Sequence, residues 1–198
     1  MNVRLQYNLE FPGAIYFEDQ LQLNFFSVNL SLTTTTSDRY KINVAMERLR
    51  CFVNSELANA VYINQKQQDI AEVMQMLGMN MVTLPEDPVD QIVGLMLYCK
   101  LNAIMEGVLI VTSIDINSTL GDGVWFQHDE EDAVGPFADN GWWNDPTITH
   151  NNINLVDTDS KVVEVRSSGW HEYGLLWPED NSKKEHTVVY AEFQKNAN

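Results

Sequence analysis

Basic residues are scarce in this chain of 198 residues. It contains 12 Lys and Arg against 28 Asp and Glu, which gives a formal net charge of -16. Between Leu101 and Ser160 there are 11 acidic residues and no Lys or Arg. Because a surface of this sign repels phosphate groups, we expect no direct binding of DNA or RNA. Basic protein surfaces and divalent cations would be attracted instead.

Cysteine and long apolar runs are also few. The 2 cysteines, Cys51 and Cys99, fall within predicted helices, which is typical of reduced thiols in an intracellular protein. The N-terminus alternates between apolar and polar residues and lacks the apolar block of a secretory signal. The longest helical pattern falls short of a continuous membrane span. We therefore expect a soluble, cytoplasmic protein that does not act at a membrane.

The motifs of several common enzyme classes are missing. GxxxxGKS/T, GxGxxG, GxSxG and HExxH are all absent, which disfavours nucleotide hydrolases and zinc peptidases of these types. The stretch DINSTLGDG, which begins at Asp115, is similar to a calcium-binding loop. It has Leu120 in place of the required Gly and Phe126 in place of the required Glu. No motif therefore identifies a reaction.

The strongest structural pattern runs from Asp87 to Ile116 and predicts one helix followed directly by one strand. Pro88 suits the first helical position, Asp87 can cap the free amides and Gly107 supplies a stop. Apolar residues cover well over half of the helix circumference, which predicts a buried helix. The strand is apolar on both faces until its end, which predicts a central position in a sheet.

The remaining elements lie on both sides of this unit. Alternation of apolar and polar residues predicts five strands: Val3–Phe11, Ala60–Ile63, Lys161–Arg166, Tyr173–Trp177 and Thr187–Phe193. It also predicts an extended stretch, Leu21–Leu32, with a β-bulge at Phe25–Ser27. Helical spacing predicts helices at Arg39–Ala58 and Gln65–Leu77. Helices in the middle and strands at both ends predict one α+β domain over residues 1–198. We expect a mostly antiparallel mixed sheet with about three helices on one face, and the alternative is α/β.

Two of the predicted helices carry apolar stripes with polar outer faces. The outer face of Arg39–Ala58 carries the one basic cluster of the chain, which consists of Arg39, Lys41, Arg48 and Arg50. We interpret this cluster as a solvated helix face and not as a nucleic-acid site. On Gln65–Leu77 the predicted apolar stripe consists of Ile70, Val73, Met74 and Leu77.

An acidic, histidine-bearing group after the central strand is the best chemical candidate. Its proposed ligands are Asp115, Asp122, His128 and Asp129, the last two within the run HDEED. Carboxylates with one imidazole suit Mg²⁺ or Mn²⁺, which keep water available for hydrolysis. His150 and His171, with Glu172, would complete such a site if the fold brings them near. The alternative is that HDEED is a solvated turn, because contiguous acids are usually on the surface.

The Gly, Asn, Asp and Pro content of residues 117–160 predicts a long acidic loop region, which also contains aromatic residues. Trp142 and Trp143 are the predicted anchors for a protein partner, with Asp139 and Asp145 as the nearby charges, because aromatic residues dominate binding hot spots. The alternative is that the two tryptophans fix the loop to its own core.

The segment LSLTTTTSDRYKINVAMERLRCFV, residues 30–53, resembles segments of small uncharacterised proteins of T4-like tailed bacteriophages. This resemblance contains no catalytic motif and carries over no functional residue. It implies a setting, which is the cytoplasm of an infected bacterium or the virion.

Three functions fit these observations. The first is a non-enzymatic phage-type accessory protein that binds a host or phage protein through an acidic surface. The second is a divalent-metal-dependent hydrolase that uses the acidic group, and the third is a virion structural component. The first predicts an acid-rimmed surface, the second at least three ligands around one cavity, and the third self-association.

Overall fold

A long two-stranded hairpin forms the middle of the sheet. In the computed structural model, which describes residues 3–148 and 169–178, β1 (Arg4–Phe17) pairs with β2 (Gln20–Thr34) in antiparallel fashion along its whole length. Glu18 and Asp19 join the strands with φ angles of 49° and 58°. Two left-handed residues match the right-handed twist of the strands they connect, so this short turn sets the register.

The predicted β-bulge at Phe25–Ser27 is wrong, because the pairing of β1 with β2 continues through these residues. Alternate residues from Asn24 to Thr34 face the core without a slip. The apolar side chains Leu21, Leu23 and Phe25 instead point outward, and Leu23 is 86% exposed. The change of apolar residues from one parity to the other, which suggested the bulge, reflects apolar side chains on the outer face of a regular strand.

The described part of the chain forms a mixed sheet of six strands and three α-helices, which confirms the α+β prediction. The strand order is β4-β3-β1-β2-β5-β6, in which β3 and β4 are parallel to β1 and the other pairs are antiparallel. The bounds in chain order after β2 are α1 (Arg39–Phe52), β3 (Val61–Asn64), α2 (Gln68–Met76), β4 (Met81–Leu84), α3 (Asp90–Met105), β5 (Leu109–Ser118) and β6 (Phe126–Asp129). The sequence analysis did not predict β4.

The three described helices pack against the sheet, two of them on one face and the third on the opposite face, where the sequence predicted one face for all. Helices α1 and α3 cover the face that we call the core face, where the main apolar cluster contains Phe26, Leu49 and Met96. Helix α2 packs through Ala71 and Met74 on the opposite face, which we call the outer face, against alternate residues of β1, β3 and β4. Because β3 and β4 are short, α2 covers only the part of the outer face near the β3–β4 edge of the sheet. The outer face of β2 and β5 carries no helix among the described residues.

The predicted apolar stripe of α2 is therefore only partly used. Of the predicted residues only Met74 is partly buried, whereas Ile70, Val73 and Leu77 are exposed. The buried residue of α2 is Ala71, which the prediction did not include. The single helix face that touches the sheet is narrow, since the short strands beneath it present few side chains.

The unit of α3 and β5 has the predicted bounds to within a few residues. Helix α3 is buried through most of its length and ends at Glu106 and Gly107, which both have positive φ angles. Strand β5 lies between β2 and β6, but only one of its faces is fully buried. Ile110 on the other face is half-buried, so the apolar residues on both sides of β5 are consistent with a strand between two neighbours but do not mean that both faces are covered.

Lys100 of α3 holds the acidic loop against the core. Its side chain is fully buried, and its Nζ donates to the carbonyl oxygens of Trp142, Asp145 and Thr147 at 2.9, 2.8 and 2.8 Å. Burial lowers the pKa of Lys100 to about 8, so at pH 7 the ammonium is charged and has three N–H groups for three acceptors. The loop is thus ordered by a buried cation as well as by apolar packing.

Arg48 performs a similar role for residues 169–178. It is 1% exposed, which corrects its assignment to a solvated helix face. Its guanidinium donates to the Leu175 carbonyl at 2.9 Å and to Glu106 at 2.6 Å, and it lies 4.0 Å from the ring centroid of Trp177. A planar, always charged group suits such a combined hydrogen-bonding and stacking site.

The chain around this contact is irregular. Tyr173–Trp177, predicted as a strand, contains the end of a turn followed by residues without regular secondary structure. The predicted strands Lys161–Arg166 and Thr187–Phe193 lie outside the described residues.

Candidate functional site

The four predicted metal ligands do not share one site. Asp115 and Asp129 lie on the outer face of β5 and β6, where the register pairs Asp115 with Gln127 and Ser113 with Asp129. His128 precedes Asp129 in the strand and points to the core face, where it is 3% exposed. Asp122 lies in a turn beyond the far end of β5.

No alternative metal cluster replaces this group. Among residues 3–148 and 169–178, no three His, Cys, Asp or Glu side chains come close enough to hold a metal ion. His128 instead packs edge-on against Tyr98, with ring centroids 4.5 Å apart. His171 is exposed beside Glu172, and His150 lies outside the described residues. The described structure therefore offers no converged ligand set for Mg²⁺ or Mn²⁺.

Trp142 and Trp143 belong to the core, which corrects their predicted role as partner anchors. Both side chains are buried. The indole N–H of Trp142 donates to the Thr83 carbonyl at 3.1 Å, and that of Trp143 donates to the carbonyls of Phe137 and Asp139 at 3.1 Å. A partner could reach these rings only by displacing the loop.

The two acids predicted beside the tryptophans remain exposed. Asp145 accepts the Thr147 N–H at 2.7 Å, and it lies close to the buried Lys100. Partial burial opposes ionisation of Asp145, but the hydrogen bonds from Thr147 and the charge of Lys100 lower its pKa. The side chain of Asp145 thus stabilises the loop, and Asp139 is the freer charge of the pair.

The acidic run HDEED instead forms one wall of a groove of about 750 Å³ on the outer face of the sheet. Its wall is Asp129–Asp132, and its floor is made of outward-facing side chains of β1, β2 and β5. We call it the acidic groove; its polar floor residues are Arg4, Gln6, Ser31, Thr33, Thr112 and Ser113.

The wall is fixed by hydrogen bonds within its own turn and by one to β5. Glu130 N–H donates to the Thr112 carbonyl at 3.0 Å, Asp132 N–H donates to the Asp129 carbonyl at 3.0 Å, and Asp132 Oδ2 accepts the Asp129 N–H at 3.1 Å. The pairing of β2 with β5 shifts register next to Ser31, so β5 bulges at the point where the wall meets the floor. Glu130 and Glu131 are left exposed, with both carboxylates available to a partner.

The charge of this groove is poorly neutralised. Arg4 is the one basic side chain among the described residues that line it. Two other cations are removed from the surface, since Arg48 and Lys100 are buried, and Arg50 is paired with Glu47. Because Arg48 and Lys100 are buried, the exposed surface of the described residues carries fewer cations than their composition indicates.

The sequence identified the acids of this site but not its floor. HDEED was noted as a contiguous acidic run, with a solvated turn as the alternative to a metal site. The polar residues of β1 and β2 that face it lie between positions 4 and 33, far from the acidic run in the sequence. Their alternation was visible, but the strand order that brings them beside β6 was not.

Comparisons with known proteins give no family. No protein-family model and no curated protein sequence matches this chain. A solved structure of an uncharacterised protein from Wolinella succinogenes matches with a TM-score of 0.47 and 9% identity, over 66% of this chain and 99% of that chain. None of the helices in the described residues combines the length and apolarity that a bilayer crossing requires.

Solved structures of one enzyme also match. The 6-pyruvoyltetrahydropterin synthase of Plasmodium vivax matches with a TM-score of 0.44 and 11% identity, over 65% of this chain and 97% of that chain. A catalytic-residue mutant of the same enzyme matches with a TM-score of 0.43 and 12% identity, over 65% and 97% of the two chains. At these identities and TM-scores, neither an activity nor a site can be transferred to this chain.

Proposed function

We propose that this chain is a non-enzymatic accessory protein that binds a protein partner with a basic surface through the acidic groove. The observation that carries the proposal is the wall Asp129–Asp132, four adjacent carboxylates with Arg4 as the one described cation in the lining. Adjacent like charges repel each other, and Lys or Arg side chains of a partner relieve that repulsion. Complementary charge also increases the rate of encounter.

The outer face extends beyond the groove in a way that suits a protein partner. Near the start of β2, the same face of the sheet carries the exposed side chains Leu21, Leu23 and Phe25. A stable protein interface buries about 1,200–2,000 Å² and combines an apolar centre with a polar rim. The acidic groove and this apolar part of β2 together supply both kinds of surface on one face of the sheet. Phe25 is the aromatic residue best placed as an anchor.

The identity of the partner rests on the resemblance of residues 30–53 to proteins of T4-like phages. On that basis the proposed partner is a host or phage protein. The acidic surface disfavours DNA or RNA as the partner. Self-association, which the virion structural alternative requires, would bring the acidic grooves of two copies onto the same kind of charge and is therefore disfavoured at low salt.

Capture at two salt concentrations tests the proposal. Immobilised protein should retain a basic protein from a bacterial lysate at about 50 mM NaCl and release it at about 500 mM, because salt screens charges on an exposed surface. The captured protein is then identified and its binding measured with purified components. Retention of acidic proteins only, or of nothing at either salt concentration, would contradict the proposal.

A further inference from the structure

A second cavity of about 710 Å³ opens at the other end of the sheet, on the core face. It lies where β2 begins, β5 ends and α3 starts. We call it the end cleft; the residues that matter here are Glu18, Asp90, Ser118, Leu120, Asp122 and Trp125. Its volume is within the range of ordinary small-ligand sites.

Two side-chain oxygens in the end cleft are buried without a hydrogen-bond partner among the described residues. Ser118 is 4% exposed, and its Oγ has no partner. Asp90 Oδ2 is also buried and has none. Because buried polar atoms are nearly always hydrogen-bonded, two such atoms in one cavity indicate a need for a hydrogen-bond donor that the described residues do not supply.

Asn24, which also lines the end cleft, fixes part of its frame by hydrogen bonds. Asn24 Oδ1, buried beside it, accepts from the Phe25 N–H at 3.0 Å and from Thr119 Oγ1 at 2.8 Å. These bonds fix the chain that follows β5. Asp90 has no corresponding role, since the N-terminus of α3 has no side-chain cap. Neither free acceptor is therefore used by these hydrogen bonds.

The lining selects the charge of the ligand. Glu18, Asp90 and Asp122 line the end cleft, and none of its described lining residues is Lys or Arg. The N-terminus of α3 contributes a partial positive charge of about half a unit, which the carboxylates outweigh. An anion or a neutral acceptor is thus disfavoured, and a cation that carries N–H groups is favoured.

The lining also selects an apolar body. Trp125 is 46% exposed, and Leu120 is exposed beside the same cavity. Exposed aromatic and aliphatic surface next to buried acceptors suits a ligand with an apolar part, and an indole ring additionally attracts a cation over its face.

We propose that the end cleft binds a primary ammonium or guanidinium group carried on an apolar body. Asp90 Oδ2 and Ser118 Oγ are both covered by neighbouring atoms, so binding requires the two side chains to turn towards the cleft, where they accept the N–H groups of the ligand. Trp125 and Leu120 contact the body. The cation comes either from a free amine or from a Lys or Arg side chain of a partner protein. The end cleft lies at the opposite end of the sheet from the acidic groove, so the two proposals stand or fall separately.

Calorimetric titration with three matched probes tests the chemistry. Phenethylammonium should bind, whereas its N-trimethylated analogue, which keeps the charge but has no N–H group, should bind at least about tenfold more weakly. Phenethyl alcohol, which lacks the charge, should also bind at least about tenfold more weakly. Equal binding of all three probes, or no binding of any, would overturn the proposal.

A second arm distinguishes the two sources of the cation. A short alanine peptide with one central Lys or Arg is titrated beside phenethylammonium. Tighter binding of the peptide supports a partner's side chain, and tighter binding of the free amine supports a small-molecule ligand. Tighter binding of Mg²⁺ than of either organic cation would overturn the proposal, because the site would then recognise a metal.

Three variants locate the binding. Asp90→Asn and Ser118→Ala should each weaken phenethylammonium binding by about tenfold. Gly121→Ala should do the same, because an added Cβ would overlap Asp90 Oδ2 and displace the carboxylate. Asp139→Asn, which changes the net charge as Asp90→Asn does, should leave binding unchanged.

The stability of Ser118→Ala separates a binding role from a structural one. Removing a buried hydroxyl that has no partner should leave the melting temperature unchanged or raise it, while ligand affinity falls. If Ser118→Ala lowers the melting temperature and both this variant and Asp90→Asn retain full affinity, the two oxygens are structural and the proposal fails.

Discussion

Replacing Lys100 with Met is expected to lower the free energy of unfolding by roughly 2–4 kcal/mol, because three buried carbonyl oxygens lose their donor. Relief of the buried charge offsets part of that cost. Urea unfolding followed by tryptophan fluorescence measures the change and reports on Trp142 and Trp143 directly. Lys66→Met, at an exposed lysine, is the matched control and should change stability by less than about 0.5 kcal/mol.

The same lysine gives the stability a pH dependence of defined sign. Burial, which outweighs the nearby charges of Asp145 and Glu56, lowers the pKa of Lys100 from 10.5 to about 8. Between these values the unfolded chain binds a proton that the folded chain has released, so the free energy of unfolding rises with pH by up to about 1.4 kcal/mol per pH unit. This contribution is present above about pH 10.5 and is lost as the pH falls through about 8.

The comparison with Lys100→Met isolates this effect, since other groups titrate in both proteins. The stability of the wild type relative to the variant should increase between pH 8 and pH 10. If the relative stability instead falls over this range, the pKa of Lys100 in the folded protein is raised and not lowered. The hydrogen bonds to the three carbonyl oxygens would then stabilise the ammonium by more than burial destabilises it.

Met96→Asp is expected to prevent folding, whereas Ile110→Asp should give a folded protein. Met96 is fully buried in α3, where an unpaired charge costs several kcal/mol, a large part of the stability of a domain. Ile110 lies half-buried on the outer face of β5, where water can solvate a carboxylate. Circular dichroism and size-exclusion chromatography of the two variants decide the matter. Failure of both to fold would show that the outer face is also covered.

The sequence predicted the elements whose side chains alternate clearly. Helix α3 and the first part of β1 follow their apolar patterns, because a half-buried strand and a buried helix each impose a period on the chain. Leu23 shows the limit of this inference. It continues an alternating pattern, but it lies on the open face, and which face of a strand is buried depends on neighbours that the pattern does not identify.

Buried cations were the second source of error. Arg48 was interpreted as part of a solvated helix face, since long basic side chains are usually exposed, and nothing in the sequence indicated that Lys100 is buried. Each becomes buried because distant carbonyl groups satisfy its N–H groups: those of residues 142–147 for Lys100 and of Leu175 for Arg48. Contacts over more than 40 positions leave no local signal in the sequence.

The candidate sites were predictable only in part. The acidic run around Asp129 stood out, but its strand neighbour His128 points to the other face, so contiguity in sequence did not mean convergence in space. The adjacent tryptophans were identified as important, and their burial shows that they serve the core. The end cleft had no sequence signal, because Asp90 and Ser118 become significant only when their missing partners are known.

The measurement that tests the proposed function most directly is the affinity of the captured basic partner for two variants of equal net charge. Glu130→Gln with Glu131→Gln removes two carboxylates from the acidic groove. Glu86→Gln with Asp139→Asn removes two exposed carboxylates elsewhere, one of them after β4 at the opposite edge of the sheet. If the groove is the binding site, the first pair weakens binding by about tenfold or more and the second by less than about twofold at the same salt concentration. Equal weakening by both pairs would show that only the overall charge matters and would contradict a partner site in the acidic groove.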